Sequence, residues 1–450
     1  MPRSSSSMGA VNTFRRYLVT TTKWYVRRKT LCEWLFRLVR LPITKYTDGV
    51  LATRRMEFKV YPTNAQEAQL LGWTTLHARL YNACLEQRIF AYKRRGASIH
   101  YYDQQNELPT LKKILPEYLP LGSHALQETV RRVDRAFKAF FRRVKNGETP
   151  GFPRFKSARR YKGFTYPDPA GWKFTLGPNG KHGRLSVSNL GVLKVRGKPR
   201  QWGDPTTLTL TRRATGEWFA SITVRCEPVR EAGSKAAGLD LGCETALTLS
   251  DGRTIENPRR LREALTKLKK AQRELSRKKR GGANREKARV RVARLHEKVA
   301  NKRHDFQHQV TSRLIAEFGL IATEELTIKN MTANGGTRKA GLNRSILDVG
   351  MATITSFITY KAEEAGACRL VKVPTRKVKP SQTCPACGHQ KKKSLAEREH
   401  LCSECGYTAP RDVAAAQVML AWALPQSGTD WLASGRSQTA LTQETTPIAV

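Results

Sequence analysis

Two Cys-x-x-Cys pairs, CPAC at 384–387 and CSEC at 402–405, stand 14 residues apart, and a glycine follows the second cysteine of each. Four thiolates at this spacing complete a tetrahedral zinc site. The glycines permit tight turns that aim backbone N–H groups at the sulfurs. One Zn²⁺ is therefore expected on Cys384, Cys387, Cys402 and Cys405. It is structural, because four protein ligands leave no position for water. His389 and His400 lie nearby, are not needed for a closed site, and read as surface residues. The other five cysteines, Cys32, Cys84, Cys226, Cys243 and Cys368, are scattered singly. That distribution fits reduced core thiols in a reducing compartment and excludes a small disulfide scaffold.

The chain has 450 residues, enough for two to four folded units around such a knuckle. Lys and Arg number 81 against 37 Asp and Glu, a net charge of +44. A compact protein with that charge repels itself unless a polyanion neutralises it, and nucleic acid is the obvious candidate. The apolar fraction of 39% still supports real cores. No stretch approaches the roughly 18 uninterrupted apolar residues of a membrane span. A membrane-spanning protein and an acidic binding module are thus disfavoured, and a cytoplasmic, nucleoid-associated location with no membrane partner is expected.

Along the chain, residues 1–53 form a basic leader whose only acids are Glu33 and Asp48. A transit peptide or surface amphipathic helix would look like this. The favoured alternative is a start placed too far upstream, with Met56 as the functional beginning. FKVYP (58–62) then reads as a strand, and Thr63 with Gln66 as a capping box opening a helix with Leu70, Leu76, Leu80 and Leu85. A second helix is expected over 124–145. Val130, Val133, Phe137, Phe140 and Phe141 lie on its apolar stripe, and Arg131, Arg135 and Arg142 are among its basic residues. Those arginines suit a solvated face or nucleic-acid backbone contact equally.

Residues 150–230 turn to β structure. GFPRF, YPDPAG and GPNG mark loops, and strands are expected at 184–188, 191–195, 206–211 and 217–226. Several short strands without intervening helices suggest a small barrel, with the helices inserted after its first strand. AAGLDLG and TALTLS follow as paired apolar runs. Between Arg259 and Arg303 there are 19 Lys or Arg against four Glu, on two leucine- and valine-seamed helices broken by RGGAN. An antiparallel hairpin with basic outer faces fits this pattern, and phosphate contact by residues such as Lys269, Arg273 and Arg277 outweighs a merely solvated face. GLIATEELTI (319–328) reads as a strand. A helix over 345–365, a strand near 369–373, the knuckle and a helix from Arg411 complete the order, and residues 425–450 read as a flexible tail.

Three carboxylates stand where carboxylates are costly. Asp240 lies inside AAGLDLG, Glu324 at the end of an apolar strand, and Asp412 at the start of RDVAAAQVML. A mid-strand acid in a core needs a cation or a partner. Singly, Glu324 reads as a solvent-facing strand end and Asp412 as an N-cap, while Asp240 divides evenly between a lysine partner and a metal. Spacing alone cannot unite them.

The segments GLDLGCETALTLSDG (238–252), IATEELTIKNM (321–331) and SQTCPACGH…CSECGYTAPRDVAAA (381–416) resemble the three split RuvC motifs of the TnpB family, transposon-encoded RNA-guided endonucleases related to compact type V CRISPR effectors. FKVYPTNAQ, LYNACLEQR, TGEWFASITV and LNRSILDVG resemble further blocks of that family, in order over roughly 56–424. The resemblance implies a multidomain α+β fold. A ribonuclease-H-like (RuvC) α/β nuclease domain over 235–380 would carry the basic hairpin 258–304 and an inserted zinc knuckle 381–408, and would close with 409–424. A wedge-like β-barrel, 54–62 and 150–230, would carry a helical recognition insertion, 63–149. The family's catalytic acids fall on Asp240, Glu324 and Asp412. Glu325 stands beside the catalytic glutamate, where strand alternation turns it the other way. Ala414 replaces an asparagine common in the family.

The same resemblance implies a cofactor and partners. Three acids suit two Mg²⁺ ions about 3.5–4 Å apart, one activating water and one stabilising the leaving 3′ oxygen. A guide RNA would supply specificity by base pairing, and the protein would read a short motif beside the target in double-stranded DNA. Two other functions remain to be weighed: an RNA-guided DNA-binding repressor with a decayed centre, disfavoured by the intact acids, and a stand-alone ribonuclease-H-like resolvase or transposase, which needs neither the barrel nor the basic load.

Overall fold

A computed structural model describes residues 52–425 apart from 228, 229, 334 and 395. Most of the basic leader and nearly all of the expected tail lie outside the described residues. Strand β1 (Ala52–Tyr61) begins four residues ahead of Met56, with Ala52 opposite Cys226 and Arg55 opposite Thr223. Residues 52 and 53, expected in the leader, therefore belong to a sheet. Met56, Phe58 and Val60 alternate inward as a half-buried strand requires.

The Thr63–Gln66 capping box is present and opens α1 (Asn64–Arg95), which stops at Gly96 in a left-handed conformation (φ 61°). Short helices Tyr101–Asn106 and Leu108–Ile114 lead to α2 (Ser123–Lys145). The two long helices run side by side in the same direction. His77 Nδ1 meets Thr129 Oγ1 at 2.7 Å, and further along Arg88 reaches Asp134 at 3.2 Å.

Six further strands follow: β2 (Gly163–Tyr166), β3 (Trp172–Leu176), β4 (Gly183–Val187), β5 (Gly191–Arg196), β6 (Asp204–Arg212) and β7 (Trp218–Cys226). With β1 they form one antiparallel sheet, ordered β2-β6-β7-β1-β5-β4-β3. β2 and β3 lie between the loop signals GFPRF, YPDPAG and GPNG, where the sequence alone names no strand. Both strands are short and bounded by Pro and Gly, and their pairing with β6 and β4 decides them where local preference does not. Phe58, Leu193, Trp218 and Ile222 of the sheet share one core with Leu70, Leu85, Leu126 and Val130 of the helices.

A second sheet comprises β8 (Lys235–Asp240), β9 (Thr245–Leu249), β10 (Thr254–Glu256), β11 (Phe318–Glu324) and β12 (Arg369–Val373), ordered β10-β9-β8-β11-β12. β8, β11 and β12 are parallel, and β9 and β10 antiparallel. The basic hairpin is α3 (Arg260–Ser276) and α4 (Ala283–Glu317). α4 runs well beyond the expected end near 304. Its last turns bury Phe306, Val310, Leu314 and Ile315 against the sheet, so one helix is solvated at its start and core at its end. The helix expected over 345–365 is two, α5 (Thr337–Val349) and α6 (Met351–Ala365). Gly350, at φ 71°, breaks them, and a Cβ there would meet Gln307 Nε2 at 2.3 Å. α4 and α6 cover one face of the sheet. α7 (Arg411–Ala423) covers the other through Ala416, Met419 and Ala423. Arg213 ties the two sheets' layers together, bonding Glu57 at 2.7 Å and Glu297 of α4 at 2.6 Å. No helix among the described residues is long and apolar enough to cross a membrane.

Candidate functional site

Strand alternation decides where the acids of the second sheet point. In β11, Ile321 joins the core under α4 and α6, whereas Leu320 and Ala322 join the core under α7. Glu324 is in phase with the latter and faces α7. In β8, Ala237 and Leu239 pack toward α4 and α6, so Gly238 and Asp240 face α7. β8 and β11 are parallel neighbours with Leu239 opposite Thr323, which places Asp240 beside Glu324 at the carboxyl ends of both strands.

Gly238 admits the third acid. A Cβ there would stand 1.8 Å from the carbonyl oxygen of Ala416, so only a glycine lets α7 lie this close to the sheet. Asp412 sits one turn before Ala416 on the same helix face and is brought to Asp240. The electrostatics agree. Burial pushes the Asp240 carboxyl up to about 7, and the charges of Glu324 and Asp412 add to that effect. Burial also raises Glu324. Glu325 lies just past the strand, exposed, its N–H donated to Val373 O at 3.0 Å. Ala414 is buried on α7.

The three carboxylates stand further apart than the cysteine sulfurs, which are the one group of three or more potential metal ligands within 4.8 Å of one another among the described residues. Hard oxygen donors at half-buried positions still suit a hard divalent cation, whose charge would offset the effect of burial on Asp240 and its lesser repulsion from Glu324 and Asp412. Sequence reasoning missed two supporting residues. Gly238 was visible as a glycine inside a strand, which signals close backbone approach. Arg411 left no signal; its guanidinium lies 3.6 Å from Asp412 and donates to Glu397 O at 3.0 Å.

The four cysteines of the knuckle converge. All four Sγ atoms lie within 4.8 Å of one another, with Cys384–Cys405 and Cys387–Cys402 at 3.6 Å. A tetrahedron with Zn–S bonds of about 2.3 Å has edges of about 3.8 Å, the size of this cluster. Backbone N–H groups of Cys405 and Glu404 pull the Cys402 thiol down to about 6. His389 is exposed, as expected, but His400 is not a surface residue. In β13 (Glu399–Leu401), paired with β14 (Thr408–Pro410), alternation turns Glu399 and Leu401 out and buries His400 against Tyr407. α7 starts directly after β14. Tyr407 donates to Gln417, and Arg411 N–H donates to Arg398 O at 2.8 Å. The knuckle therefore sets the first turn of α7, where Asp412 stands.

The basic candidates divide. Arg131 and Arg135 both engage the buried Glu128, and Arg131 also donates to Tyr101 Oη at 3.1 Å. Arg142 is exposed with no carboxylate partner among the described residues. Lys269 and Arg273 on the exposed side of α3, and Arg277 directly after its last residue, are in the same condition. The hairpin's four glutamates are already taken, by Arg260, Arg291, Arg289 and Arg213.

Residues 220–335 match the OrfB IS605 family model, described as "Probable transposase", and residues 352–419 match the model of the "Cas12f1-like, TNB domain". A Streptomyces pristinaespiralis protein named "Putative RNA-guided DNA endonuclease" is 33% identical over 384 residues, spanning 83% of this chain and 90% of that one. Escherichia coli K12 "Putative RNA-guided DNA endonuclease InsQ" is 33% identical over 313 residues, 66% of this chain and 74% of its own. The chain belongs to the TnpB family. A solved structure titled "Cryo-EM structure of the Cas12f1-sgRNA-target DNA complex" aligns with this TnpB-family chain at a TM-score of 0.52. It covers 82% of this chain and 98% of that one at 11% identity, a likeness of fold.

Proposed function

We propose that the chain is an RNA-guided DNA endonuclease that hydrolyses phosphodiesters at one Mg²⁺-dependent centre formed by Asp240, Glu324 and Asp412. The observation that carries this reading is the convergence of the three acids on the α7 side of the second sheet, in a family whose relatives are named for that activity. In this reading the second sheet with its helices is the ribonuclease-H-like RuvC domain, 235–380 and 409–424, with the cysteine knuckle 381–408 inserted. The first sheet, 52–62 and 150–230, is the wedge, and 63–149 is the recognition insertion.

Bound at the three carboxylates, two Mg²⁺ ions would supply an activated water and stabilise the leaving 3′ oxygen. The chain's own residues prepare that site. Asp240 and Glu324 hold fixed positions because each ends a paired parallel strand, and Asp412 because the knuckle and Arg411 fix the first turn of α7. Partial burial of Asp240 and Glu324 strengthens the charge interactions there. Zn²⁺ on the four cysteines is structural. The guide RNA supplies specificity, and the protein contacts backbone and a short DNA motif beside the target. A single centre implies that both strands are cut in turn.

Exposed, unpaired bases on α3 are the strongest phosphate contacts in this reading. Replacing Lys269, Arg273 and Arg277 together by Gln is expected to weaken nucleic-acid binding. The slope of log affinity against log salt should flatten by about 0.7–0.9 for each phosphate that these side chains no longer neutralise. An unchanged slope would return α3 to a solvated face. The function as a whole is tested by sequencing RNA that co-purifies with the protein. One abundant species with a variable 3′ end is expected. Its absence favours a stand-alone resolvase or transposase.

A further inference from the structure

The last two turns of α2 and the loop after it bring four phenylalanines together. Phe137 lies against Phe141 and Phe152, with ring centroids 6.4 and 5.8 Å apart, and Phe140 against the same two at 5.2 and 5.4 Å. Phe137 is the anchor. It packs on the first core, with the Arg88 guanidinium 5.6 Å from its ring. The outer pair is uncovered, Phe141 61% exposed and Phe152 49%, with Val144 exposed one turn further on. Grouped exposed aromatics on a surface mark a contact site.

The surrounding charge identifies the partner. Arg142, Arg143 and Lys145 in the last turn of α2, and Arg154 two residues after Phe152, are exposed and have no carboxylate partner among the described residues. The acid nearest in sequence, Glu148, is approached by Asn146 Nδ2 at 3.4 Å. α1 runs beside α2 in the same direction, so its basic last turn, Lys93, Arg94 and Arg95, lies at the same end. A second copy of the chain would set these cations against one another, and an apolar segment would leave them without counter-charge. A nucleic-acid strand satisfies both features at once, its bases stacking on the rings and its phosphates meeting the cations. A duplex keeps its base faces inside its own stack, so a ring surface selects single strands.

We propose that the Phe141–Phe152 face is a stacking platform for an unpaired nucleobase of single-stranded nucleic acid, with Arg142, Arg143 and Arg154 contacting the flanking phosphates. This rests on the nucleic-acid partner of the proposed function and adds a site and a strand state to it.

The test uses the full-length protein and a fluorescent oligothymidylate of about 12 nucleotides, with a blunt duplex of equal length as control. Phe141→Ala with Phe152→Ala is expected to weaken single-strand binding about tenfold or more, with little change for the duplex. The salt slope should stay the same, because stacking releases no counterions. Phe141→Tyr with Phe152→Tyr should restore the affinity. A 5-iodouracil oligonucleotide should photocrosslink to Phe141 or Phe152 in the wild type. Wild-type binding that the alanine pair leaves unchanged at a native melting temperature overturns the platform alone. So does a loss confined to concentration-dependent self-association in sedimentation, which would make the face an interface between copies. A wild type that binds the duplex as tightly as the single strand overturns the platform and leaves the proposed function standing, since that function is read separately from the co-purified RNA.

Discussion

Asp240→Ala is expected to abolish Mg²⁺-dependent cleavage, a fall of about three orders of magnitude or more, while guide-RNA and target binding persist. The carboxylate acts at the cation, whereas affinity comes from base pairing and the basic surface. Asp240 stands beside Glu324 at the ends of two parallel strands and feels the charge of Asp412. Glu324→Ala and Asp412→Ala should therefore match it, and double variants should be no worse, because groups acting as one unit are not additive. Both DNA strands should lose cleavage together. Glu325→Ala, outside the strand and exposed, should retain substantial activity. Strand-resolved gels with bound complexes monitored in parallel check all of this. A dead Glu325→Ala beside an active Glu324→Ala would mean that the acid of β11 has been assigned to the wrong phase.

The second large effect is expected from the knuckle. Cys402→Ser should release the zinc, loosen the start of α7 and so remove cleavage although no acid has changed. Structural zinc contributes on the order of 10–16 kcal/mol in isolated peptide knuckles, and here the folded knuckle delivers β14 directly into the turn holding Asp412. Elemental analysis should give about one zinc per wild-type chain and none in the variant, with new proteolytic cuts over 381–412. The first sheet and its helices form a separate core and should keep their melting transition. A wild type purified without zinc would contradict the assignment.

The two sites differ in how far they could be read from the sequence. The knuckle was legible because its ligands are local, two pairs whose spacing alone brings the sulfurs together. The convergence of Asp240, Glu324 and Asp412 was not, because it depends on β8 lying next to β11 and on α7 approaching closely at Gly238. Family resemblance supplied the grouping, and the structure supplies a physical path to it. β2 and β3 escaped notice because distant partners define them. Likewise, one glycine divided a helix whose apolar pattern ran on unbroken. Charge was legible in amount and not in availability. Arg131 and Arg135 are spent on the buried Glu128, and only the fold tells them from Arg142. His400 was misjudged because a three-residue strand turns it inward.

The central claim, that a bound RNA directs this chain's carboxylate centre to DNA, is tested most directly by changing the RNA. The variable 3′ segment of the co-purified species is replaced by a new sequence, the protein is reassembled with it, and cleavage is measured on plasmids carrying the old or the new target. The account predicts that cutting moves to the new target, requires Mg²⁺, and vanishes with Asp240→Ala. Cutting that stays at the old target, or proceeds without RNA, would contradict it.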